Sequence, residues 1–273
     1  MIRRIQNLPT ATQNIDWSPD TKWIAAASGT PGQGGEVILI DALGQSPERV
    51  LASLPDLALD VRFSPDGTRL AASGTDNAIR IFDIPGGKEL LVIQQHADWV
   101  VGLAWSPDGT HLASASRDRT ARIFNAQNGE LETTFVDHNA AVLAVAFAAD
   151  GKTVFSTGRD KKIYRWNEQD GKKVAEFGDA DEETLRLTIA GQQLFSAGAG
   201  GAVRLHNIDT KKTVQTFAGH HDWVYGLTLN LATKRLASGS FDGEIRVWNM
   251  EDGRELEHII AAPGLKNQAA AQR

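Results

Sequence analysis

The feature that most constrains this chain is a repeat that runs through almost its whole length. Short apolar segments such as VILID, IRIFD, ARIFN and RVWN finish on an acid or amide, and the six finishing residues are Asp41, Asp83, Asn125, Asn167, Asn207 and Asn249. Successive finishing residues lie 42, 42, 42, 40 and 42 positions apart. Such a period indicates units that cannot bury their apolar faces alone and must stack on their neighbours. The 273 residues therefore predict one domain of six units rather than two separate domains.

Residues 98–129 show the local structure of one unit. Their sequence, DWVVGLAWSPDGTHLASASRDRTARIFNAQNG, predicts strands at 100–105, 111–115 and 120–124. Alternating apolar residues and turn formers at both breaks favour half-buried strands over a helix. A further apolar stretch, 130–136, supplies a fourth strand before the next unit begins. Each unit is therefore predicted to be a four-stranded sheet.

Six correlated copies of about 40 to 45 residues, with four strands each, resemble the WD40-repeat β-propeller family. The SPDG turns and the LASAS segment resemble its bacterial arrays in particular. The resemblance implies an all-β fold of six four-stranded blades around one axis, with an incomplete, open seven-bladed ring as the alternative. It implies a single propeller over residues 1–260 and a flexible tail over 261–273. The blades are expected at roughly 10–54, 55–94, 97–136, 139–177, 183–217 and 222–260.

The two chain ends compete for one place in this scheme. Six blades need six outer strands, whereas the sequence offers seven, the first at 2–8 and the last at 254–260. We favour residues 2–8 as the strand that closes the ring, with 254–260 as the alternative. Residues 2–8 look like the outer, fourth strand of a blade whose first three strands are missing. Met1 is therefore expected either to open a segment cut from a longer repeat array or to be a native start. An open ring would expose strand edges that can pair two copies, whereas a closed ring predicts a monomer.

The resemblance also implies buried hydrogen-bonded tetrads, each made of a histidine before the first strand, a serine on the second, an aspartate in the next turn and a tryptophan on the third. Two repeats fill all four places, with His138, Ser156, Asp160 and Trp166 and with His220, Ser238, Asp242 and Trp248. The third repeat has His96, Ser114 and Asp118 but Phe124 in the tryptophan position, so its network is expected to end at the serine. In the second repeat only Asp76 remains, and it is expected to shape its turn alone. In the fifth repeat His206 replaces the tryptophan.

The histidine, serine and aspartate sets do not predict catalysis. A hydrolase needs one exposed serine beside an oxyanion hole, whereas here the trio recurs in several repeats, as a packing device would. The acids around Glu176 to Glu183 are expected to form a solvated edge rather than a calcium loop. The glycine-rich stretch 28–35 is expected to be an irregular surface loop, because no helix or GK[ST] motif follows it. We therefore expect no catalytic residues, no metal and no cofactor.

Composition excludes several other classes. The net charge of -6 gives no reason to expect nucleic acid, because phosphate binding depends on clustered Lys and Arg. Absence of cysteine rules out disulfides and thiolate metal sites. No apolar run has the length of a spanning helix or the form of a signal peptide, so a cytoplasmic location without membrane association is expected. An extracytoplasmic location is the alternative if the segment comes from a longer secreted or anchored parent.

The resemblance implies a non-catalytic scaffold that binds proteins or peptides through the top face of the propeller. The residues expected on that face are Trp99, Arg117, Arg159, His221, Trp223 and Phe241, with Thr75 in the matching place of the second repeat. Trp, Phe and Arg are the side chains that interfaces prefer as anchors. Packing of Trp99 and Trp223 between blades is the alternative. A second function, a C-terminal regulatory or spacer segment of a larger bacterial enzyme or redox protein, is also left open, as are the ligand's identity and small-molecule binding in the channel.

Overall fold

The strands that the structure describes belong to six four-stranded antiparallel sheets, which together form a six-bladed β-propeller. The computed structural model describes residues 11–177 and 182–261. Within these residues no helix is long and apolar enough to cross a membrane. The predicted all-β fold of six blades is thus confirmed.

The strands follow one another in chain order, from the innermost to the outermost position of each blade. The first blade contains β1 (Thr12–Trp17), β2 (Trp23–Thr30), β3 (Gly34–Asp41) and β4 (Arg49–Leu54). The second contains β5 (Ala58–Phe63), β6 (Arg69–Gly74), β7 (Ile79–Asp83) and β8 (Glu89–Ile93). The third contains β9 (Val100–Trp105), β10 (His111–Ser116), β11 (Ala121–Asn125) and β12 (Leu131–Phe135). The fourth contains β13 (Val142–Phe147), β14 (Thr153–Gly158), β15 (Ile163–Asn167) and β16 (Lys173–Phe177). The fifth contains β17 (Thr184–Ala190), β18 (Gln193–Gly198), β19 (Ala202–Asn207) and β20 (Thr213–Ala218). The sixth contains β21 (Val224–Asn230), β22 (Arg235–Ser240), β23 (Glu244–Asn249) and β24 (Glu255–Ile260).

The SPDG turn shows why the sequence folds in this way locally. In the third blade Gly109 has φ 71°, a conformation that glycine adopts without steric cost. Its N–H donates to the carbonyl of Ser106 at 2.9 Å, and the Ser106 hydroxyl donates to Asp108 at 2.6 Å. The N–H of His111 donates in turn to the Ser106 hydroxyl at 2.9 Å. The turn therefore sets the register of β9 on β10 through contacts within six residues.

The core lies between blades rather than within them. Phe135 of the third blade stacks on Trp166 of the fourth, with ring centroids 5.2 Å apart and 5° between the planes. Both rings are fully buried, together with Val145 and Val154 in the same cluster. Since a blade has apolar side chains on both faces, each one is stabilised only when its neighbours cover it.

The junction between the sixth and first blades is different. Extensive contacts join the inner strands of successive blades from the first to the sixth, whereas a groove of about 710 Å³ separates the sixth from the first. Ile15 on β1 is 52% exposed and Tyr225 on β21 is 41% exposed, whereas Val61 on β5 is fully buried. The outer strand of the sixth blade is β24, so the preference for residues 2–8 in that place is wrong. Residues 2–8 themselves, and most of the tail, lie outside the described residues.

The glycine-rich stretch 28–35 is also not the loop that the sequence predicts. β2 and β3 continue through it, with Ser28 paired to Glu36 and Thr30 paired to Gly34, and only three residues form the turn. Its glycines serve close packing, because a Cβ at Gly35 would lie 2.5 Å from the carbonyl oxygen of Asp56. Because glycine has no side chain, the segment leading into the second blade can pack directly against the backbone of this hairpin.

Candidate interaction surface at the channel mouth

The mouth of the central channel is built from one repeated position. The second residue of the innermost strand points to the same small cavity in all six blades, and these residues are Gln13, Leu59, Val101, Leu143, Leu185 and Tyr225. The cavity that they line has a volume of about 230 Å³. Four of the six residues are aliphatic. The mouth is therefore a shallow cavity with a largely apolar rim, large enough to hold one side chain.

Aromatic side chains extend this ring toward the sixth blade. The ring of Trp223 lies 6.0 Å from that of Tyr225, and Tyr225 lies 6.3 Å from Phe241 in an edge-on arrangement. Their residues are 37%, 41% and 66% exposed. Tyr225 and Phe241 also line the groove beside the first blade. We call Trp223, Tyr225 and Phe241 the aromatic patch, which connects the channel mouth to that groove.

Charged groups stand beside the aromatic patch at the mouth. Arg159 and Glu183 both line the cavity, with 3.7 Å between the Arg159 Nε and a carboxylate oxygen of Glu183. The Arg159 side chain is 56% exposed, so its guanidinium has faces free for a ligand. Interfaces favour this combination of arginine and aromatic residues.

Trp99 and Arg117 form a separate pair on the third blade. The guanidinium of Arg117 lies over the Trp99 indole, 4.2 Å from its centroid, and the Arg117 N–H donates to the Trp99 carbonyl at 3.0 Å. Matching backbone bonds join Phe241 to Trp223 and Arg159 to Ala141, so these residues emerge at equivalent places of their blades. His221 is exposed, and its N–H donates to Asp242 at 2.9 Å. The structure thus brings Arg159, Trp223 and Phe241 around the mouth, whereas Trp99 is half-buried beneath Arg117.

Below the mouth, charged residues that the sequence analysis did not single out connect neighbouring blades. The buried carboxylate of Asp60 accepts a hydrogen bond from the N–H of Leu103 in the next blade at 2.8 Å, and Asp16 accepts one from Phe63 at 2.8 Å. Burial raises the pKa of Asp16, against the effect of Arg62. Burial likewise lowers the pKa of Arg186, which also lines the cavity. In the sequence, these contacts are marked by a single aspartate within an otherwise largely apolar strand.

The two complete tetrads have the geometry that the resemblance implies. In the fourth repeat His138 contacts Asp160 at 2.7 Å and Ser156 at 2.8 Å, and the Trp166 indole N–H donates to Ser156 at 3.1 Å. In the sixth repeat His220 contacts Asp242 at 3.2 Å and Ser238 at 2.9 Å. The Trp248 indole donates to Ser238 at 2.9 Å.

The network assigns the protons within each tetrad. Since the ionised aspartate only accepts, the histidine Nδ1–H donates to it. The Nε2 of a neutral ring then accepts from the serine hydroxyl, whose oxygen accepts from the indole N–H. Burial lowers the pKa of His220 although Asp242 opposes it, so this imidazole is neutral. Burial alone would raise the pKa of Asp242, but N–H donors from His221 and Glu244 hold it below its usual value. With Ser156 and Ser238 buried and already donating, the arrangement offers no exposed nucleophile.

The incomplete repeats have the substitutions that the sequence shows, and the structure adds the contacts that these substitutions make. In the third repeat Phe124 faces His96 edge-on, with the centroids 6.0 Å apart, and the network ends at Ser114. In the fifth repeat His206 takes the place of the indole and contacts Ser196 at 2.7 Å. Burial and the nearby Arg204 lower the pKa of His206 to about 4.

Two expectations about acidic residues need correction. Asp76 does more than shape its turn, because it also binds the Arg80 guanidinium at 2.6 Å. The acids near the fifth blade are paired with bases rather than simply solvated: Glu176 with Lys162 at 2.7 Å, and Glu182 with Arg204 at 2.9 Å. Residues 178–181 of that stretch lie outside the described part of the chain.

Comparison with known families identifies the repeat. The sequence pattern described as WD domain, G-beta repeat, matches residues 55–83, 87–125, 129–167 and 211–249, which together make up more than half of the chain. The unmatched residues 168–210 contain the fifth repeat, which lacks the turn aspartate. The "WD40 beta propeller domain of Doa1" superimposes with a TM-score of 0.84 at 20% identity, over 97% of this chain and 86% of that one. At this identity the likeness shows the fold alone.

Three curated relatives match over short segments. The U3 snoRNP-associated protein-like EMB2271 of Arabidopsis thaliana is 34% identical over 79 residues, 28% of this chain and 16% of that protein. The Polycomb group protein FIE1 of Oryza sativa subsp. japonica is 33% identical over 76 residues, 28% and 20% of the two chains. The Target of rapamycin complex subunit wat1 of Schizosaccharomyces pombe is 37% identical over 73 residues, 26% and 23% of the two chains. The matched segment thus spans less than a quarter of each relative, and these relatives are eukaryotic, so the bacterial type expected from the sequence is not confirmed.

Proposed function

Because this chain belongs to the WD40 repeat family, we propose that it is a non-catalytic scaffold that binds a protein or peptide at the channel mouth. The observation that carries the proposal is the aromatic patch, three exposed rings in contact beside an apolar cavity. Exposed apolar groups that form one contiguous surface with a polar rim are typical of interaction sites. Members of this family commonly act as interaction scaffolds, and two of the relatives are named as a complex subunit and a particle-associated protein.

The geometry favours a peptide that offers one apolar side chain next to an acidic group. The cavity of about 230 Å³ holds a single side chain rather than a cofactor-sized ligand. Arg159 stands at its edge with more than half of its side chain exposed, where it can bind a carboxylate. The aromatic patch would cover the adjoining residues of the peptide.

The described residues do not suggest chemistry at this surface. Catalysis needs a nucleophile or acid and base groups that converge on one reacting atom. The serine and histidine pairs are buried within the blades, away from the mouth. The proposal is therefore binding alone.

A selection from a displayed peptide library would test the proposed function. The affinity of a selected peptide would then be measured calorimetrically for wild type, Phe241→Ala and Arg159→Glu. Leu43→Ala is the matched control, because Leu43 is an apolar residue, 72% exposed, between β3 and β4. We expect both mouth variants to weaken binding by tenfold or more and the control to leave it unchanged. Equal affinity for all four proteins would refute the proposed surface.

A second candidate is a regulatory or spacer segment within a larger protein, with a cytoplasmic location. Its support is that the matched repeats are a small part of each longer relative. Activity of a full-length parent with and without residues 1–273 would test it, because a spacer or regulator must change that activity when deleted.

A further inference from the structure

A second polar cluster lies far from the channel mouth, at the junction of the third and fourth blades. His111 begins β10, Glu132 lies on β12, and Glu168 follows the end of β15. They line a groove of about 760 Å³ on the face where the SPDG turns emerge, opposite the turns that carry Arg117 and Arg159. Neither the tetrads nor the proposed peptide surface involves these residues.

The three side chains converge on a small volume. The His111 Nε2 lies 2.9 Å from Glu132 Oε2 and 3.7 Å from Glu168 Oε1. One ligand atom from each residue lies within 4.8 Å of both others. A tetrahedral ion with bonds of about 2.0 to 2.2 Å would hold its ligand atoms roughly 3.3 to 3.6 Å apart. The observed spacing needs only small side-chain movements to reach that geometry.

The other blades show that this cluster is not a requirement of the repeat. The corresponding residues at the second-to-third junction are Arg69, Leu90 and Ala126, those at the fourth-to-fifth are Thr153, Val174 and Ile208, and those at the fifth-to-sixth are Gln193, Val214 and Met250. Two of the three positions are apolar at every one of these junctions. Only the third-to-fourth junction combines an imidazole with two carboxylates.

The second-to-third junction shows that a cation fits this place. Arg69, the counterpart of His111, extends across the junction and donates to the carbonyl oxygens of Ala126 at 2.9 Å and Gly109 at 2.5 Å. At the third-to-fourth junction His111 replaces Arg69, and Glu132 and Glu168 replace Leu90 and Ala126. The site therefore lacks the arginine of its counterpart and has two carboxylates in place of apolar side chains.

Hydrogen bonds around the cluster orient the His111 ring as a metal ligand. Hydrogen bonds from Ser106 and Thr110 lower the pKa of Asp108 to about 2, so this carboxylate only accepts. The Thr110 hydroxyl therefore donates to Asp108, at 2.7 Å, and the His111 Nδ1–H donates to the Thr110 oxygen, at 2.8 Å. The ring is thereby oriented so that its Nε2 points toward the carboxylates of Glu132 and Glu168. Metal-binding histidines commonly have their other nitrogen held in this way.

We propose that His111, Glu132 and Glu168 form a binding site for a divalent transition ion of the zinc class. One imidazole nitrogen and two carboxylate oxygens suit this ion, and water would complete its coordination. The Asn125 amide donates to the other oxygen of Glu132 at 3.1 Å, which holds Oε2 toward the histidine. Since the ligands come from two blades, the bound ion joins them and stabilises the junction.

Calorimetric titration of the metal-free protein with ZnCl2 would test this site. We expect one ion per chain in wild type and binding weaker by more than about 100-fold in His111→Gln and Glu168→Gln. Removing a group that only hydrogen-bonds to a metal ligand already weakens affinity by up to about 100-fold, and removing a ligand itself should weaken it further. Asp170→Asn is the matched control, since it removes a charge from the same groove without removing a ligand. Melting of each metal-free variant would show that it is folded. The long-range nitrogen NMR signals of His111 should show the Nδ1–H tautomer and a shift of Nε2 on adding zinc.

Three results would overturn the site. The first is wild type that binds zinc no more tightly than His111→Gln. The second is an Asp170→Asn variant whose binding is weakened as much as that of the two ligand variants, which would indicate attraction by the charge of the groove as a whole. Binding that survives Glu168→Gln but is lost in Glu244→Gln would place the ion at His220, Asp242 and Glu244, the other cluster with suitable spacing.

Discussion

The indole of Trp166 forms its polar contact and its apolar contact with different blades. Its N–H donates to Ser156 in its own blade at 3.1 Å, whereas its ring stacks on Phe135 of the preceding blade at 5.2 Å. Each tetrad therefore holds a large ring at a fixed angle for the neighbouring blade. Stability of one repeat and packing between repeats are coupled through this side chain.

Replacing Trp166 would separate these two contributions. In Trp166→Phe the ring contact with Phe135 is largely kept, but the hydrogen bond to Ser156 is lost. We expect a cost of about 1 kcal/mol for Trp166→Phe and about 3 to 5 kcal/mol for Trp166→Ala, in which the ring is lost as well. Urea unfolding of the three proteins would measure both values. Equal losses would mean that the ring contributes nothing beyond its hydrogen bond.

The turn aspartates should differ in their importance. Asp160→Ala leaves the buried His138 Nδ1–H without its acceptor, which costs about 1 to 3 kcal/mol. Asp76→Ala removes a partly exposed ion pair with Arg80, worth about 1 kcal/mol or less. Each kcal/mol lowers the melting temperature of a domain of this size by roughly 2 to 4 °C, so Asp160→Ala should melt at a lower temperature than Asp76→Ala. An Asp76 variant that melts as low as the Asp160 variant would contradict the tetrad's role.

His206 should make the protein less stable in mild acid. Burial and the nearby Arg204 lower its pKa in the folded chain to about 4, from the ordinary histidine value of 6.5, so between these values the unfolded chain binds the extra proton. Stability is therefore complete above about pH 6.5 and is lost as the pH falls toward 4, by up to about 3 kcal/mol.

Urea midpoints of wild type and His206→Gln between pH 7 and pH 4 would check this effect. The glutamine keeps a hydrogen-bonding group beside Ser196 but does not titrate. We expect the variant to lose less stability over this window than wild type. Parallel curves for the two proteins would exclude His206 as the titrating group.

The glycine pair at the start of β3 gives a packing prediction. Gly35→Ala would place a Cβ 2.5 Å from the carbonyl oxygens of Asp56 and Ser28, both of which are backbone atoms. We expect a loss of about 1 to 3 kcal/mol, as for other overpacked sites. Gly239→Ala is the control, because no atom lies within 4 Å of its added Cβ. Thermal melting of the two variants should separate them, and equal melting temperatures would show that the chain before β5 can move away.

Much of the fold could be predicted because its signals are local. The period of about 42 residues, the alternation within β9 and the turn from Ser106 to Gly109 all act within one repeat. The tetrad members follow the same rule, since His138, Ser156, Asp160 and Trp166 occupy matching places in a single repeat. The prediction of a loop at 28–35 was wrong because glycine there allows close packing against Asp56, which lies in the segment leading into the second blade.

The sequence by itself determined six four-stranded units and the side chains that stabilise each one, because these depend on alternation and turn chemistry between residues close in the chain. Only the tertiary structure decided that β24 completes the sixth blade, that Trp223, Tyr225 and Phe241 form one patch, and that His111 and Glu132 meet Glu168 of the next blade. These relationships depend on how one blade is rotated against another. That rotation is set by the summed packing of whole blade faces, which no short sequence pattern encodes.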